Sequence, residues 1–331
     1  MSILVFDIGG TNLRSALYEK DGSLRDIKIR QSPSFLMYDT ASGDELQLKL
    51  IQIVEYCVNK YRNIYNIKDI GISFPGPVMP NGDVLCAPSL WSDRVASCEL
   101  SKILNQKLKG VNIYIVNDIT AAGWRYVGDT NSTFCIITIS SGVGNKIFWN
   151  GEVVLSPNGK GGEMGHIKYN SSDYSGLVCD CGGYGHISSI SSGRGIEKIF
   201  PIVSEKNKNI FKESPLNNGK SATTYDIADA LKKGDPFSRI LLKESIKPIA
   251  YEVHQVYLLM GVMKFIIIGG FAMQIGSEYI DFLKDEMRAI HSFSLDESEI
   301  DDMFSLGAAD DHNGLIGMGK YINNIKEKSI A

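Results

Sequence analysis

Residues 3–18 read I-L-V-F-D-I-G-G-T-N-L-R-S-A-L-Y. The opening apolar run has strand length, and Gly9-Gly10 ends it in a tight turn. The residues beyond the turn alternate in character, so a second strand is expected to return beside the first. Asp21-Gly22 is a further hairpin signal, with a third strand over residues 24–30. The same device recurs at residues 133–149, T-F-C-I-I-T-I-S-S-G-V-G-N-K-I-F-W. Strand, glycine-rich turn and strand thus occur near the start of each half, which suggests two related lobes with a cleft between them.

Between these hairpins, Leu46, Leu50, Ile53, Val54 and Cys57 recur at helical spacing over residues 44–62. D-I-G-I-S-F then reads as a strand stopped by Pro75-Gly76-Pro77, and N-I-Y-I-V as a strand ending at Asn117-Asp118. Strands first, then strands alternating with helices, predict an α/β chain with a mixed sheet. Residues 201–222, rich in Lys, Asn and Ser, read as a long surface loop. Thr223 and Asp226 fit a capping box for a helix that stops at Gly234. Leu242, Ile246, Ile249, Val253, Val256 and Met260 predict a long buried helix over 239–260, with Pro248 as a place to kink. F-I-I-I-G-G is another strand and glycine turn, and residues 314–328 a closing helix.

The 331 residues are 44% hydrophobic and 22% charged, an ordinary globular composition for which two domains are the prior. The net charge of -4 and the scatter of Lys and Arg argue against nucleic acid as a partner. The start of the chain has no leader pattern, and Lys264 and Gly269-Gly270 interrupt the longest apolar stretch, Tyr257 to Met273. A cytoplasmic chain without membrane partners is expected. Cys57, Cys86, Cys98 and Cys135 read as buried thiols rather than a disulfide framework.

Six segments carry chemistry. In D-I-G-G-T-N, Gly9 and Gly10 can bring bare N–H groups to a phosphate, Thr11 adds a hydroxyl, and Asp7 can hold the water shell of magnesium. A plain hairpin turn needs the same glycines. Ser140-Ser141-Gly142-Val143-Gly144 offers donors of the same kind, and Gly269-Gly270 is either an adenosine contact or a tight turn. Asn117-Asp118 is either an N-cap or a base that orients a hydroxyl for phosphoryl transfer. Glu163 and His166 lie among glycines in a loop that suits a sugar, though lone Glu and His side chains are more often solvated or structural. Finally, His166, Cys179, Cys181 and His186 are four zinc-compatible ligands; buried thiols near a surface histidine are the alternative.

Taken in order, these segments resemble the ROK family of sugar kinases (repressors, open reading frames and kinases). D-I-G-G-T-N-L-R resembles its first phosphate motif and S-S-G-V-G-N its second. F-P-G-P-V with A-P-S-L-W resembles the segment flanking the sugar, V-N-D-I-T-A-A the catalytic segment, G-E-M-G-H the family's E-x-G-H, and I-I-I-G-G the adenosine segment. The resemblance implies a two-lobed actin-like ATPase fold (ribonuclease H-like) with a mixed sheet in each lobe. It implies lobes at 1–117 and 118–313, with the helix at 314–331 packing back on the first. It assigns Asp118 as general base and places Gly76, Asn117, Asp118, Glu163, His166 and position 188 at the sugar. Asp7, Gly9, Gly10, Thr11, Asn12, Ser141, Gly142, Gly269 and Gly270 fall to ATP and magnesium, and a homodimer is the family's habit.

The chain departs from the family pattern at several places. In the zinc signature C-x-C-G-x-x-G-C-x-E, the third cysteine is His186 and the glutamate is Ser188. The first keeps a zinc ligand; the second removes a carboxylate from the anomeric side of the sugar. Ser140-Ser141 replaces Gly-Thr, and Ser89 stands where many relatives carry Asn. The resemblance implies a glucokinase-like hexose kinase acting on the 6-hydroxyl. The alternatives are a kinase for N-acetylmannosamine, N-acetylglucosamine or another amino sugar, and a sugar-sensing regulator. A regulator would need an N-terminal helix-turn-helix, and the first strand here is expected at residue 3.

Overall fold

A computed structural model describes residues 2–91, 97–129 and 131–330. The chain packs as two compact units. The first comprises Met1–Thr130, Leu155–Gly161 and Asp310–Ala331; the second comprises Asn131–Val154 and Gly162–Ala309.

The first unit is built on a sheet of β1 (Ile3–Ile8), β2 (Asn12–Tyr18), β3 (Leu24–Gln31), β4 (Asp69–Phe74) and β5 (Asn112–Asn117). Their order is β3-β2-β1-β4-β5. The meander β1–β2–β3 is antiparallel, whereas β4 and β5 run parallel to β1. Side chains alternate across a strand, so β1 serves two cores. Leu4, Phe6 and Ile8 face Leu46, Leu50, Val54 and Val58 of the helix Gly43–Tyr65. Each such fully buried aliphatic side chain contributes about 1.5–3 kcal/mol. Ser42 and Glu45 close a capping box on that helix, and Asn66 ends it in the left-handed conformation.

On the opposite face, Ile3 and Val5 pack with Ala121, Leu315, Met318 and Ile322. The helices Asp118–Trp124 and Asn313–Ile330 supply these residues. The first unit therefore continues past residue 117, because the helix after β5 seals the back of its sheet. Gly317 lets the two helices meet: a Cβ there would run into the Ala121 carbonyl oxygen.

The second unit repeats the arrangement with β6 (Phe134–Ile139), β7 (Val143–Trp149), β8 (Glu152–Val153), β9 (Phe265–Ile268) and β10 (Phe304–Leu306). Its order is β10-β9-β6-β7-β8. Here β6–β7–β8 is the antiparallel meander, with β9 and β10 parallel to β6. Cys135, Ile137, Ile139, Phe265 and Ile267 line one core face with residues of the helices Gly193–Lys206, Pro236–Met260 and Ser277–Ile290. The long helix starts at 236 because Asp235 caps it and Pro236 occupies its first turn, and it runs on through Pro248.

Two expectations are corrected. Residues 201–222 are not a surface loop: Gly193–Lys206 is one helix, a second spans Lys208–Phe211, and Val203, Ser214 and Leu216 are buried. The buried face, Ile196, Ile199, Phe200 and Val203, begins before residue 201, so the polar composition beyond it hid the helix. Cys86 is half-buried, unlike Cys57, Cys98 and Cys135. Among the described residues no helix is long and apolar enough to cross a membrane.

Candidate active site

In the first unit the strands β1, β4 and β5 are adjacent and parallel, so their C-terminal ends lie side by side. These ends carry the expected residues, the usual location for a site in an α/β sheet. Asp7 is next to last in β1, where register places it beside Ser73 and Arg14. Its Oδ1 accepts a 2.7 Å bond from the Ser73 hydroxyl, and its Oδ2 lies 4.0 Å from Arg14 Nη1. Burial raises the Asp7 carboxyl above its usual range, against the pull of Ser73 and Arg14. A carboxylate in that state favours a cation. The following turn is tied by Gly9 N–H donating to Asn12 O at 2.9 Å and by Ser32, whose hydroxyl donates to Gly9 O at 2.5 Å. Thr11 is exposed at its tip.

At the end of β5 the cap is Asn117 rather than Asp118. The Asn117 Oδ1 accepts from Ile119 N at 3.1 Å and Thr120 N at 3.2 Å. Its Nδ2 donates to the Gly76 carbonyl and to Asp118 Oδ1, both at 2.9 Å. Asp118 is the first residue of the helix, and its Oδ1 also accepts from Ile119 N at 2.8 Å. Thus Gly76, Asn117 and Asp118 form one network, with the carboxylate oriented by neighbours rather than spent as the cap.

In the second unit the adjacent ends of β6 and β9 open into Ser140-Ser141-Gly142 and Gly269-Gly270. Gly193 N–H donates to Ser140 O at 2.7 Å and so brings the start of the helix Gly193–Lys206 to the turn. A pocket of about 230 Å³ lies here, lined by Ser140, Ser141, Gly193, Thr224 and Gly270 among others. Three of these stand at the N-termini of helices, Gly193–Lys206, Thr224–Lys232 and Gly270–Ile275. Helix N-termini present unpaired N–H groups and the positive end of the dipole, which suits phosphate. Ser141 and Gly142 are exposed.

The loop from Gly162 to His166 covers the part of β7 that β8 leaves unpaired. It does so through its glycines. A Cβ on Gly162 would strike the Asn145 carbonyl oxygen, and one on Gly165 the Val143 carbonyl oxygen. Gly162 also has φ +71°, which only glycine adopts without strain. The Met164 N–H bonds to Asn145 Oδ1 at 3.0 Å. Glu163 is therefore displayed from a fixed backbone, with a 53% exposed side chain and Lys146 Nζ 3.6 Å from its Oε1. The Ser188 hydroxyl accepts from Val143 N at 3.1 Å and is turned to the strand backbone.

His166, Cys179, Cys181 and His186 come together, their ligand atoms all within 4.8 Å of one another. The Cys181 Sγ to His186 Nδ1 distance is 3.2 Å, and that from Cys179 Sγ to His166 Nδ1 is 3.9 Å. Cys179 and Gly183 are joined by a backbone bond across the turn. Two thiols and two imidazoles are a donor set that suits tetrahedral zinc.

A family profile of ROK matches residues 3–324. The chain belongs to the ROK family. It is 32% identical over 327 residues to a C(7)-cyclitol 7-kinase of Streptomyces hygroscopicus subsp. limoneus, spanning 96% of this chain and 93% of that protein. It is 31% identical over 201 residues to an N-acetylmannosamine kinase of Shigella flexneri, 59% of this chain and 63% of that one. A ROK family glucokinase from Streptomyces griseus, solved with glucose and AMPPNP, has the same fold: TM-score 0.72 at 18% identity, over 97% of this chain and 99% of that one. This ROK chain is accordingly a sugar kinase with the actin-like α/β fold and a five-stranded mixed sheet in each unit.

Several residues that line this pocket were not singled out in the sequence. Arg194, Glu197, Tyr225 and Gln274 line the 230 Å³ pocket, and none belongs to the three glycine turns read from the sequence. The run Ser192-Gly193-Arg194-Gly195, with small residues ahead of a helical face, was the available signal. Lys146, beneath Glu163, read only as part of a returning strand.

Proposed function

We propose that this ROK kinase transfers the γ-phosphoryl group of ATP to the exocyclic primary hydroxyl of a C7 cyclitol. The observation that carries the substrate is the likeness to a C(7)-cyclitol 7-kinase along nearly the whole of both chains. Ser188 supports it. A cyclitol is a carbocycle, without the ring oxygen and anomeric hydroxyl of an aldose, and it has no use for a carboxylate on that side. The Ser188 hydroxyl instead bonds the backbone of β7. A hydroxymethyl arm on such a ring corresponds to the C6 arm of glucose, so one base can serve either substrate class.

In this reading Asp118 accepts the proton of the attacking hydroxyl as the oxygen approaches phosphorus. Asn117 and the Gly76 carbonyl hold Asp118 in place, and Glu163 and His166 take ring hydroxyls. Phosphoryl transfer asks the protein mainly for position and charge stabilisation. Gly9, Gly10, Thr11, Ser141 and Gly142 supply N–H and hydroxyl donors to the phosphates, and Gly269 and Gly270 border the nucleoside. Bound magnesium would neutralise phosphate charge, with Asp7 as the residue that holds its water shell. His166, Cys179, Cys181 and His186 hold a structural zinc in this reading, the imidazole of His186 doing the work of a thiolate.

The test is ADP release with ATP and a substrate panel: a hydroxymethyl-bearing polyhydroxycyclohexane, glucose, N-acetylmannosamine and myo-inositol, which has no exocyclic carbon. The expected kcat/KM for the hydroxymethyl cyclitol exceeds that for glucose by roughly a hundredfold, the scale on which a pocket making no hydrogen bond at that position rejects an analogue that adds a hydroxyl. Equal or better turnover of glucose overturns the cyclitol assignment and leaves the kinase. Preference for N-acetylmannosamine favours the second reading, which the Shigella flexneri likeness supports over a shorter span.

A further inference from the structure

Lys146 has an unusual setting. It lies on β7, its side chain only 4% exposed, and its Nζ reaches toward the substrate loop rather than toward solvent. The ammonium is 3.4 Å from the Gly162 carbonyl oxygen and 3.6 Å from Glu163 Oε1. Its aliphatic stem is clamped: a Cβ on Gly162 would sit 2.9 Å from Lys146 Cδ and 3.1 Å from Nζ. Among the described residues, Lys146 is the sole ion-pair partner of the Glu163 carboxylate.

The pair is asymmetric, with a fixed and buried cation and a half-exposed anion. Removing an ammonium from water is unfavourable, and an apolar side chain of similar volume commonly stabilises a fold as well or better. Fold stability alone therefore gives little reason for a lysine here. What the lysine adds is a fixed positive charge that keeps one carboxylate oxygen in place at the mouth of the loop. A carboxylate so held presents its acceptors in one orientation, which is what recognition of a ring diol requires.

We propose that Lys146 is a positioning residue that sets affinity for the polyol by orienting Glu163. The inference rests on Glu163 touching the substrate, as in the function proposed above. Lys146→Met removes the charge with little change in volume, and Lys146→Gln keeps a donor for the Gly162 carbonyl. Both are expected to raise KM for the polyol at least tenfold, with kcat and the KM for ATP within twofold of the parent. A lysine that merely props the loop would lower kcat and melting temperature together and would not single out the polyol.

The decisive measurement is the double variant with Glu163→Gln. If Lys146 acts through Glu163, Lys146→Met changes the polyol KM less than twofold in the Glu163→Gln background. A full tenfold rise in that background overturns the proposal, as does an unchanged KM in both single Lys146 variants while Glu163→Gln alone raises it. An unchanged KM in Glu163→Gln itself removes Glu163 from the polyol site, and the proposal falls with that reading rather than on its own account.

Discussion

Replacing Asp118 by asparagine separates its proposed role as base from its place in the structure. In the helix Asp118–Trp124, the Asp118 Oδ1 accepts from Ile119 N at 2.8 Å and from Asn117 Nδ2 at 2.9 Å. An asparagine keeps a carbonyl oxygen in that place, so both bonds survive. What is lost is one negative charge at a helix N-terminus, worth about 0.3–1 kcal/mol. For a domain of roughly 150–250 residues that is a fall of about 1–4 °C in melting temperature. The capping bonds themselves belong to Asn117 and are untouched.

Catalysis should suffer far more. A positioned general base contributes about 10²–10⁴-fold, which at about 1.36 kcal/mol per decade is roughly 3–5 kcal/mol of barrier. The variant is therefore expected to fold, to keep its polyol KM within a few-fold, and to lose at least about a hundredfold in kcat. ADP release measured beside a thermal melt reads both quantities on one sample. Turnover within a few-fold of the parent would refute Asp118 as base. A melting temperature lowered by 10 °C or more would refute the division of labour between Asn117 and Asp118.

Three further expectations follow from the packing and the charges. Gly317→Ala drives a methyl group into the Ala121 carbonyl oxygen, and urea unfolding should show a loss of about 1–3 kcal/mol or more. Cys181→Ser should reduce bound zinc from one equivalent to well below one by elemental analysis, while binding of ATP to the purified protein changes little. Asp310 pairs with Arg125 through bonds of 2.5 and 2.7 Å, and the Arg125 guanidinium holds its carboxyl down at about 2. A depressed carboxylate stabilises the fold above its unfolded value of 3.8 and loses that effect as pH falls through about 2. The pair is partly exposed and worth up to about 1 kcal/mol. Asp310→Asn should therefore lower the urea midpoint at pH 7, and the gap should narrow below about pH 4.

The features legible in the sequence are those with a local physical cause. The turns at Gly9-Gly10 and Ser140–Gly144 announced themselves because strand runs flank small residues, and Thr223 with Asp226 because a capping box is local. The long helix ending at Met260 showed through its apolar spacing, and Gly261 closes it in the left-handed conformation. Features that depend on distant chain were not legible. Ile196, Ile199, Phe200 and Val203 form a buried stripe only once the second sheet exists to receive them, and the lysines and asparagines after Pro201 masked it. Asn117 and Asp118 could not be told apart, because the choice of cap depends on the Gly76 carbonyl 41 residues away. The burial of Lys146 was invisible for the same reason: the loop that covers it comes 16 residues later.

The two sheets share one strand order, read as β3-β2-β1-β4-β5 and β8-β7-β6-β9-β10, so their hairpin turns occupy equivalent places. Aligning them on that order sets Asp7-Ile8-Gly9-Gly10 against Thr138-Ile139-Ser140-Ser141. Both Asp7 and Thr138 lie next to last in the first strand of the meander, and both are half-buried. The register then separates them. Asp7 is flanked by Ser73 and Arg14, a donor and a cation, whereas Thr138 is flanked by Ile268 and Gly144. Neither strand neighbour of Thr138 offers a side-chain donor or a cation to a carboxylate there. The shared order thus supplies two turns of small residues, and only the first carries an acid with a donor and a cation beside it. The proposed magnesium function accordingly belongs to the first turn, and the second is left to neutral donors and helix N-termini. Moving the proposed magnesium role to the second turn would demand changes on three strands, so a single Thr138→Asp substitution should not transfer it.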